Sequence, residues 1–222
     1  MNILLFAPAL FLTYLATQGL LGTLIQLAIC ASTQILLAVP FLMENPYNYL
    51  KGAFDLGRVF LHKWTVNYRF LPQDIFVSQS FHLGLLVAHV LLLTFAAWPF
   101  WQLLKGYAKL NQEPEQKPKW AIQLLLLPMF MSNFIGIAAA RSLHYQFYIW
   151  YYHQLSYLLW CTSLPTQVKL LLLGLIELCW NTYPSTEWSS ALLHCCHVVL
   201  LISLFLYMKR MLNMSSHIKK SN

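Results

Sequence analysis

The sequence predicts an all-α, polytopic membrane protein: a helical bundle of about six or seven spans forming a single membrane domain over residues 1–222. Three observations carry that prediction. The chain is 59% apolar and 9% charged, whereas a soluble domain carries ~25% charged residues. The charges are clustered, because Met1–Met43, Ile75–Leu104, Trp120–Ala140, Ser142–Val168 and Trp188–Met208 contain no Asp, Glu, Lys or Arg. A bilayer crossing takes ~20 apolar residues; four of these windows each hold at least one span, and the first holds two. A membrane β-barrel would show short alternating segments instead.

The spans follow in order. The first, 3–17, is short and meets the second, 20–42, at Gln18-Gly19. No basic residue precedes its apolar part and no small-residue cleavage site follows, so it reads as a span and not as a signal peptide. The 43–79 segment reads as an interfacial loop. From Phe54 to Phe70, apolar and aromatic residues recur among Asp55, Arg58, Lys63 and Arg69, the pattern of an amphipathic helix lying on a membrane surface. Its cations suit plain surface anchoring or a phosphate. A third span covers 80–101. The 102–119 stretch is rich in Gln, Lys and Pro (NQEPEQKPK) and reads as a linker. Spans four and five cover 120–140 and 145–160. The sixth, 168–181, carries Glu177, which costs ~2.5–3.5 kcal/mol at a helix centre and less near its end. The seventh covers 189–208, and 209–222 forms a basic tail.

Cys30, Cys161, Cys179, Cys195 and Cys196 lie in or beside these spans without a CxxC pair, as small buried hydrophobes do. His194 and His197 stand three apart with no third ligand near, which argues against zinc.

Basic residues set the orientation. With the C-terminus cytosolic, that side collects nine: Lys105, Lys109, Lys117, Lys119, Lys169, Lys209, Arg210, Lys219 and Lys220. The lumenal side collects five: Lys51, Arg58, Lys63, Arg69 and Arg141. The bias has the sign expected of cytosolic loops. The tail ends Lys219-Lys220-Ser221-Asn222, like the dilysine retrieval signal that cytosolic coat proteins read on endoplasmic-reticulum membrane proteins; the loop count agrees with that signal and favours it over a tail that merely binds acidic headgroups.

The chemistry concentrates in SNFIGIAAARSLHYQFYIWYYHQLSYLLW, Ser132–Trp160, where eight of the seventeen residues from His144 onward are Tyr, Trp or Phe. One arginine at the end of an apolar run, backed by amphipathic rings, suits a charged lipid headgroup or a sugar. An aromatic belt with a topogenic arginine has the same composition. A further patch, ELCWNTYPSTEW, offers hydrogen-bonding groups and rings beside a turn. The assigned parity puts all three polar-aromatic patches on the lumenal face.

ENPYNYLKGAFDLGRVFLHKWTVNYRFLP, the SNFIG…LLW run and LIELCWNTYPST closely resemble the dolichyl-phosphate-mannose-dependent α-1,3-mannosyltransferases of asparagine-linked glycosylation, over almost the whole chain. The resemblance implies a GT-C membrane fold in the endoplasmic reticulum. It implies inverting transfer of mannose from dolichyl phosphate mannose to the pentamannosyl lipid-linked oligosaccharide, with no cofactor, metal or nucleic-acid partner. Such a reaction needs a carboxylate base and cations for the departing phosphate. On this resemblance Arg141, His144 and Gln146 are expected to hold the phosphate and mannose, and Tyr145, Tyr148 and Trp150 to line that pocket. Arg58, Trp64, Asn67 and Arg69 match an interfacial segment of the family; Glu177, Trp180 and Asn181 match a third motif without a role. Family members are roughly twice as long and carry the base in a lumenal loop of their N-terminal half, so the chain is expected to correspond to the C-terminal half and, alone, to transfer nothing. The alternatives are a non-catalytic membrane protein scaffolding glycosylation enzymes, and a small transporter, which the interfacial charges and absent repeat disfavour.

Overall fold

Alternating long apolar helices and short interfacial pieces make up the computed structural model, which describes residues 2–53, 61–112 and 118–220, with side chains from residue 3 to residue 213 within those stretches. The helices are α1 (Ala7–Glu44), α2 (Pro46–Ala53), α3 (Gln73–Phe76), α4 (Gln79–Asn111), α5 (Gln123–Ala138), α6 (Tyr152–Cys161), α7 (Thr166–Asn181) and α8 (Glu187–Lys220). Short 3-10 turns stand at Asn2–Phe6, His62–Trp64, Lys119–Ile122 and Tyr145–Trp150. Among the described residues there is no strand.

The helical membrane class stands, and the number of long spans differs from the sequence expectation. Four helical stretches are long and apolar enough to cross a bilayer: Ile3–Glu44, which holds α1; α4; Lys119–Ala138, in which a 3-10 turn runs on into α5; and the Glu187–Asn213 part of α8. The 3–17 segment runs from the first 3-10 turn into α1 and the 20–42 segment continues α1, on either side of Gly19, whose φ of 68° and ψ of −174° break the helical path. A left-handed φ costs an L-residue with a Cβ but not glycine, so the junction at Gln18-Gly19 is a kink inside one helical stretch. The 145–160 segment divides into a 3-10 turn and the ten-residue α6, and 168–181 lies in the sixteen-residue α7. Both helices are shorter than the ~20 residues of an ordinary crossing.

Two further boundaries move. α4 continues to Asn111, into the stretch read as a linker. The interfacial amphipathic helix is corrected over its described part. Residues 61–71 form one 3-10 turn followed by irregular chain, in which Thr65, Val66, Asn67 and Tyr68 are buried in succession. Four consecutive buried residues do not fit a helix with one wet face. Their backbone bonds elsewhere instead: Val66 N–H donates to the Leu143 carbonyl at 2.8 Å.

α5 is the central post, packed against α1, α4, α6, α8 and the N-terminal turn. Its small and polar residues explain how. Ser132 Oγ donates to the Leu5 carbonyl at 2.8 Å, and a Cβ at Gly136 would come within 2.6 Å of a Leu5 methyl. Small residues permit such close approach where lipid supplies no hydrophobic drive. Asn133 Nδ2 bonds the Trp150 carbonyl at 2.9 Å and Gln154 Oε1 at 3.1 Å, tying α5 to the aromatic turn and to α6. Ser78 caps α4 by accepting from Phe81 N–H at 3.2 Å. At the start of α8, Thr186 and Ser189 exchange backbone N–H to hydroxyl bonds of 3.0 Å in each direction, a capping-box arrangement.

Candidate functional site

Three segments close over one end of the bundle: 61–71, which precedes α4; 139–150, which follows α5; and 181–190, which joins α7 to α8. The first two are joined through Asn67, which is 1% exposed. Its Oδ1 accepts from Leu143 N–H at 2.8 Å and from the Thr65 hydroxyl at 2.9 Å, and its Nδ2 donates to the Ala140 carbonyl at 2.7 Å. The first and third are joined by Ser185 Oγ, donating to the Thr65 carbonyl at 2.6 Å, and by Arg69 N–H, donating to Ser190 Oγ at 2.9 Å. The second and third meet where the Tyr145 hydroxyl donates to the Thr182 carbonyl at 2.8 Å. Segments far apart in sequence thus share one end of the molecule.

The candidates fall into distinct places on this platform. Arg141 is half-buried and directly follows Ala140, the residue whose carbonyl Asn67 holds. His144 is half-buried, and its Nδ1 lies 2.9 Å from the Trp64 carbonyl. A carbonyl only accepts, so Nδ1 carries the hydrogen, and Nε2 is the ring nitrogen left to face other partners. Trp64 is 42% exposed, with the Lys63 ammonium 5.0 Å from its ring. Arg69 is half-buried, and its Nη1 donates to the His62 carbonyl at 2.8 Å. Gln146 is exposed on the aromatic turn. Trp150 stacks on Phe147 at 4.2 Å. Arg58 lies outside the described residues.

Asn67 departs from its expected role. Buried, with its amide bonded through both ends to three protein groups, it joins two loops. Sequence shows an Asn in a motif; only the fold shows that its amide ties two loops together.

The third motif, left without a role by sequence, supplies a feature that sequence reasoning missed. The Tyr148 hydroxyl donates to Glu177 Oε2. Asn181 Nδ2 donates to Glu177 Oε1 at 2.9 Å and to the Glu177 carbonyl at 2.9 Å. The Tyr148 ring stacks on Trp180 at 5.1 Å and 17°. Burial, with the hydrogen bond to Glu177 and that carboxylate's charge added, pushes the Tyr148 phenol well above its ordinary range, so it stays a donor at physiological pH. Beneath this pair, Trp180 Nε1–H donates to the Tyr151 hydroxyl at 2.7 Å, and that hydroxyl meets His197 Nε2 at 2.8 Å. Glu177 and Asn181 are four apart on α7 and so share a helix face. A lone carboxylate in a largely apolar helix was the available signal.

An apolar groove of about 270 Å³ between α1 and α4, lined by Pro8, Phe11, Leu12, Leu93, Thr94, Ala97 and Phe100, includes none of these residues.

Comparison with known proteins points to one family. A family model described as "ALG3 protein" matches residues 1–190. The chain is 51% identical over 218 residues to a Mus musculus protein named Dol-P-Man:Man(5)GlcNAc(2)-PP-Dol alpha-1,3-mannosyltransferase, covering 93% of this chain and 49% of that protein. It is 48% identical over 230 residues to the Homo sapiens protein of the same name, covering 100% of this chain and 52% of that protein. It is 42% identical over 270 residues to the Drosophila melanogaster Dolichyl-P-Man:Man5GlcNAc2-PP-dolichol alpha-1,3-mannosyltransferase Alg3, covering 90% and 53% respectively. No solved structure matches. The chain spans about half the length of the curated relatives it matches.

Proposed function

The chain belongs to the ALG3 family, and from that premise we propose that it supplies the sugar-donor side of a membrane mannosyltransferase. That enzyme moves mannose from dolichyl phosphate mannose to a pentamannosyl lipid-linked oligosaccharide in an α-1,3 linkage. In this reaction the bond from mannose C1 to the phosphate oxygen breaks and a bond from C1 to the acceptor oxygen forms. The acceptor's proton passes to a base, and dolichyl phosphate leaves. None of the residues described above is assigned as the base.

The observation that supports this reading most is the interlock of the three polar-aromatic segments at one end of the bundle. A lipid-borne sugar phosphate presents its headgroup at the membrane surface, where cations and rings must converge to hold it. Arg141 and His144, in the 139–144 loop, are assigned to the departing phosphate, with Arg69 and Trp64 across the platform and Gln146, Tyr145, Tyr148 and Trp150 around the hexose. Asn67 holds the loops and makes no substrate contact.

The same reading puts the platform in the lumen of the endoplasmic reticulum and the C-terminus in the cytosol, where Lys219 and Lys220 serve as a coat-protein retrieval signal. Cysteines introduced near residues 143 and 184 should then be labelled from the lumen, and one near 112 from the cytosol. Labelling of 143 and 112 from one side would break the assignment.

The activity test uses a chimaera in which these residues replace the matching segment of the mouse relative. Arg141→Ala should lower transfer from dolichyl phosphate mannose by about 100-fold or more, the scale on which removal of a charge-stabilising group slows group transfer. Membrane insertion should be unchanged. A rate within about 2-fold of the parent would leave Arg141 as a topological marker.

A further inference from the structure

Glu177 is an exposed carboxylate on a helix that also exposes Leu170, Leu171 and Leu178. A charge on such a helix is costly against lipid, which makes it a functional candidate by default. It is also held in place. Tyr148 fixes one oxygen and Asn181 the other. A carboxylate accepts about four hydrogen bonds, so each oxygen retains capacity after these contacts. Asn181 spends its N–H groups on Glu177 and keeps Oδ1 as a further acceptor.

The arrangement is therefore a preorganised set of acceptors with rings beside it. Tyr183 is 71% exposed and meets Tyr145 edge-on at 5.5 Å, and Tyr152 is 51% exposed at 5.6 Å from Tyr148. A hexose fits both features, because its hydroxyls donate to the carboxylate and its C–H faces cover the rings. A phosphate does not fit, because like charges repel. The cationic loop around Arg141 and the carboxylate of α7 thus divide the platform by charge.

We propose that Glu177, gripped by Tyr148 and Asn181, is the subsite that accepts the hydroxyls of the transferred mannose, orienting the sugar donor with its hexose over the end of α7 and its phosphate over the 139–144 loop. This rests on the mannosyltransferase reading. Glu177 is a binding and specificity residue and takes no part in proton transfer.

The test uses the same chimaera, with a short-chain prenyl phosphate mannose as sugar donor and the lipid-linked oligosaccharide as acceptor. Glu177→Gln keeps the shape and removes the charge. It should raise KM for the sugar donor by about 10- to 100-fold, the range set by hydrogen bonds to a charged group. kcat and acceptor KM should stay within about 3-fold. Tyr148→Phe keeps the Trp180 stack and loses only the grip on Glu177, so sugar-donor KM should rise by about 3- to 10-fold with thermal stability retained. A rise in acceptor KM instead, a collapse of kcat at unchanged KM, or unchanged kinetics in a folded Glu177→Gln protein would each overturn the proposal. Arg141→Ala, run in parallel, separates the two readings. If it cripples sugar-donor use while Glu177→Gln does nothing, the subsite alone is wrong; if it too is silent, the parent reading is wrong.

Discussion

Asn67 and Glu177 are polar residues set among apolar neighbours, and both belong to motifs at the same end of the molecule, but their surroundings differ. Asn67 is buried, and both ends of its amide are bonded to protein groups on two loops. Glu177 is exposed, and its partners occupy only part of its acceptor capacity. A buried group bonded at both ends specifies architecture, because removing it orphans its neighbours. A braced, exposed and partly occupied group is ready for a ligand. Motif membership alone does not separate the two.

Asn67→Ala offers the sharpest way to break this contrast. It leaves the Leu143 N–H and the Ala140 carbonyl without their partner and weakens the hold on Thr65. The expected cost is about 2–5 kcal/mol, the scale for disrupting a buried hydrogen-bond network. It should appear as a lower unfolding temperature in detergent and poor yield in membranes. A stable Asn67→Ala protein with a raised sugar-donor KM would reverse the assignment. The Glu177→Gln variant should behave the opposite way, losing substrate affinity while its unfolding temperature barely moves.

The same contrast marks how far sequence reaches. Apolar composition and charge-free windows are local properties, so the helical membrane class was legible, as was the Gln18-Gly19 junction, where glycine takes a conformation others avoid. The division of 145–160 was not, since rings and aliphatic side chains suit a span and an interfacial 3-10 turn equally. The 61–71 segment carries the spacing of an amphipathic helix, yet its backbone pairs with Leu143 across the platform, a long-range choice that no local period reports. The Tyr148–Glu177 pair joins residues 29 apart. Its members were visible and their meeting was not. Apolarity is silent on environment as well: in the apolar window of Lys119–Ala138, 61% is buried, against 6% in that of Ile3–Glu44. Ser132, Asn133 and Gly136 account for part of that difference, because they let neighbours approach and bond.

A smaller effect probes the seam between the second and third segments. Tyr145→Phe removes the hydroxyl that donates to the Thr182 carbonyl at 2.8 Å and keeps the ring. The seam is half-buried, so the stability loss should be near the net worth of one neutral hydrogen bond, about 1 kcal/mol. The same variant should loosen the turn beside Glu177 and raise sugar-donor KM by no more than about 3-fold. A loss as large as that of Asn67→Ala would mean that the seam, and not the Asn67 clamp, holds the platform together.

The smallest effect at neutral pH belongs to Tyr68, at the inner edge of the first segment. Its φ is 54°, its ring lies 4.3 Å from that of His194 on α8, and its hydroxyl reaches the Ala138 carbonyl at 3.5 Å. So long a bond is weak, and Tyr68→Phe should be nearly neutral at pH 7. Burial pushes the Tyr68 phenol up to about 12, against about 10 in an unfolded chain. Below pH ~10 both states hold the proton and its contribution to stability is complete. As pH rises from about 10 to about 12 the unfolded state releases the proton first, so stability falls, by at most ~1.4 kcal/mol per pH unit from this group. The other tyrosines of the unfolded chain also release protons above pH ~10, which makes the difference between parent and Tyr68→Phe the informative quantity. Alkaline unfolding scans should show a shallower decline for the variant. Superimposable declines would mean that Tyr68 is open to water, and that the first segment does not seal the platform against α8.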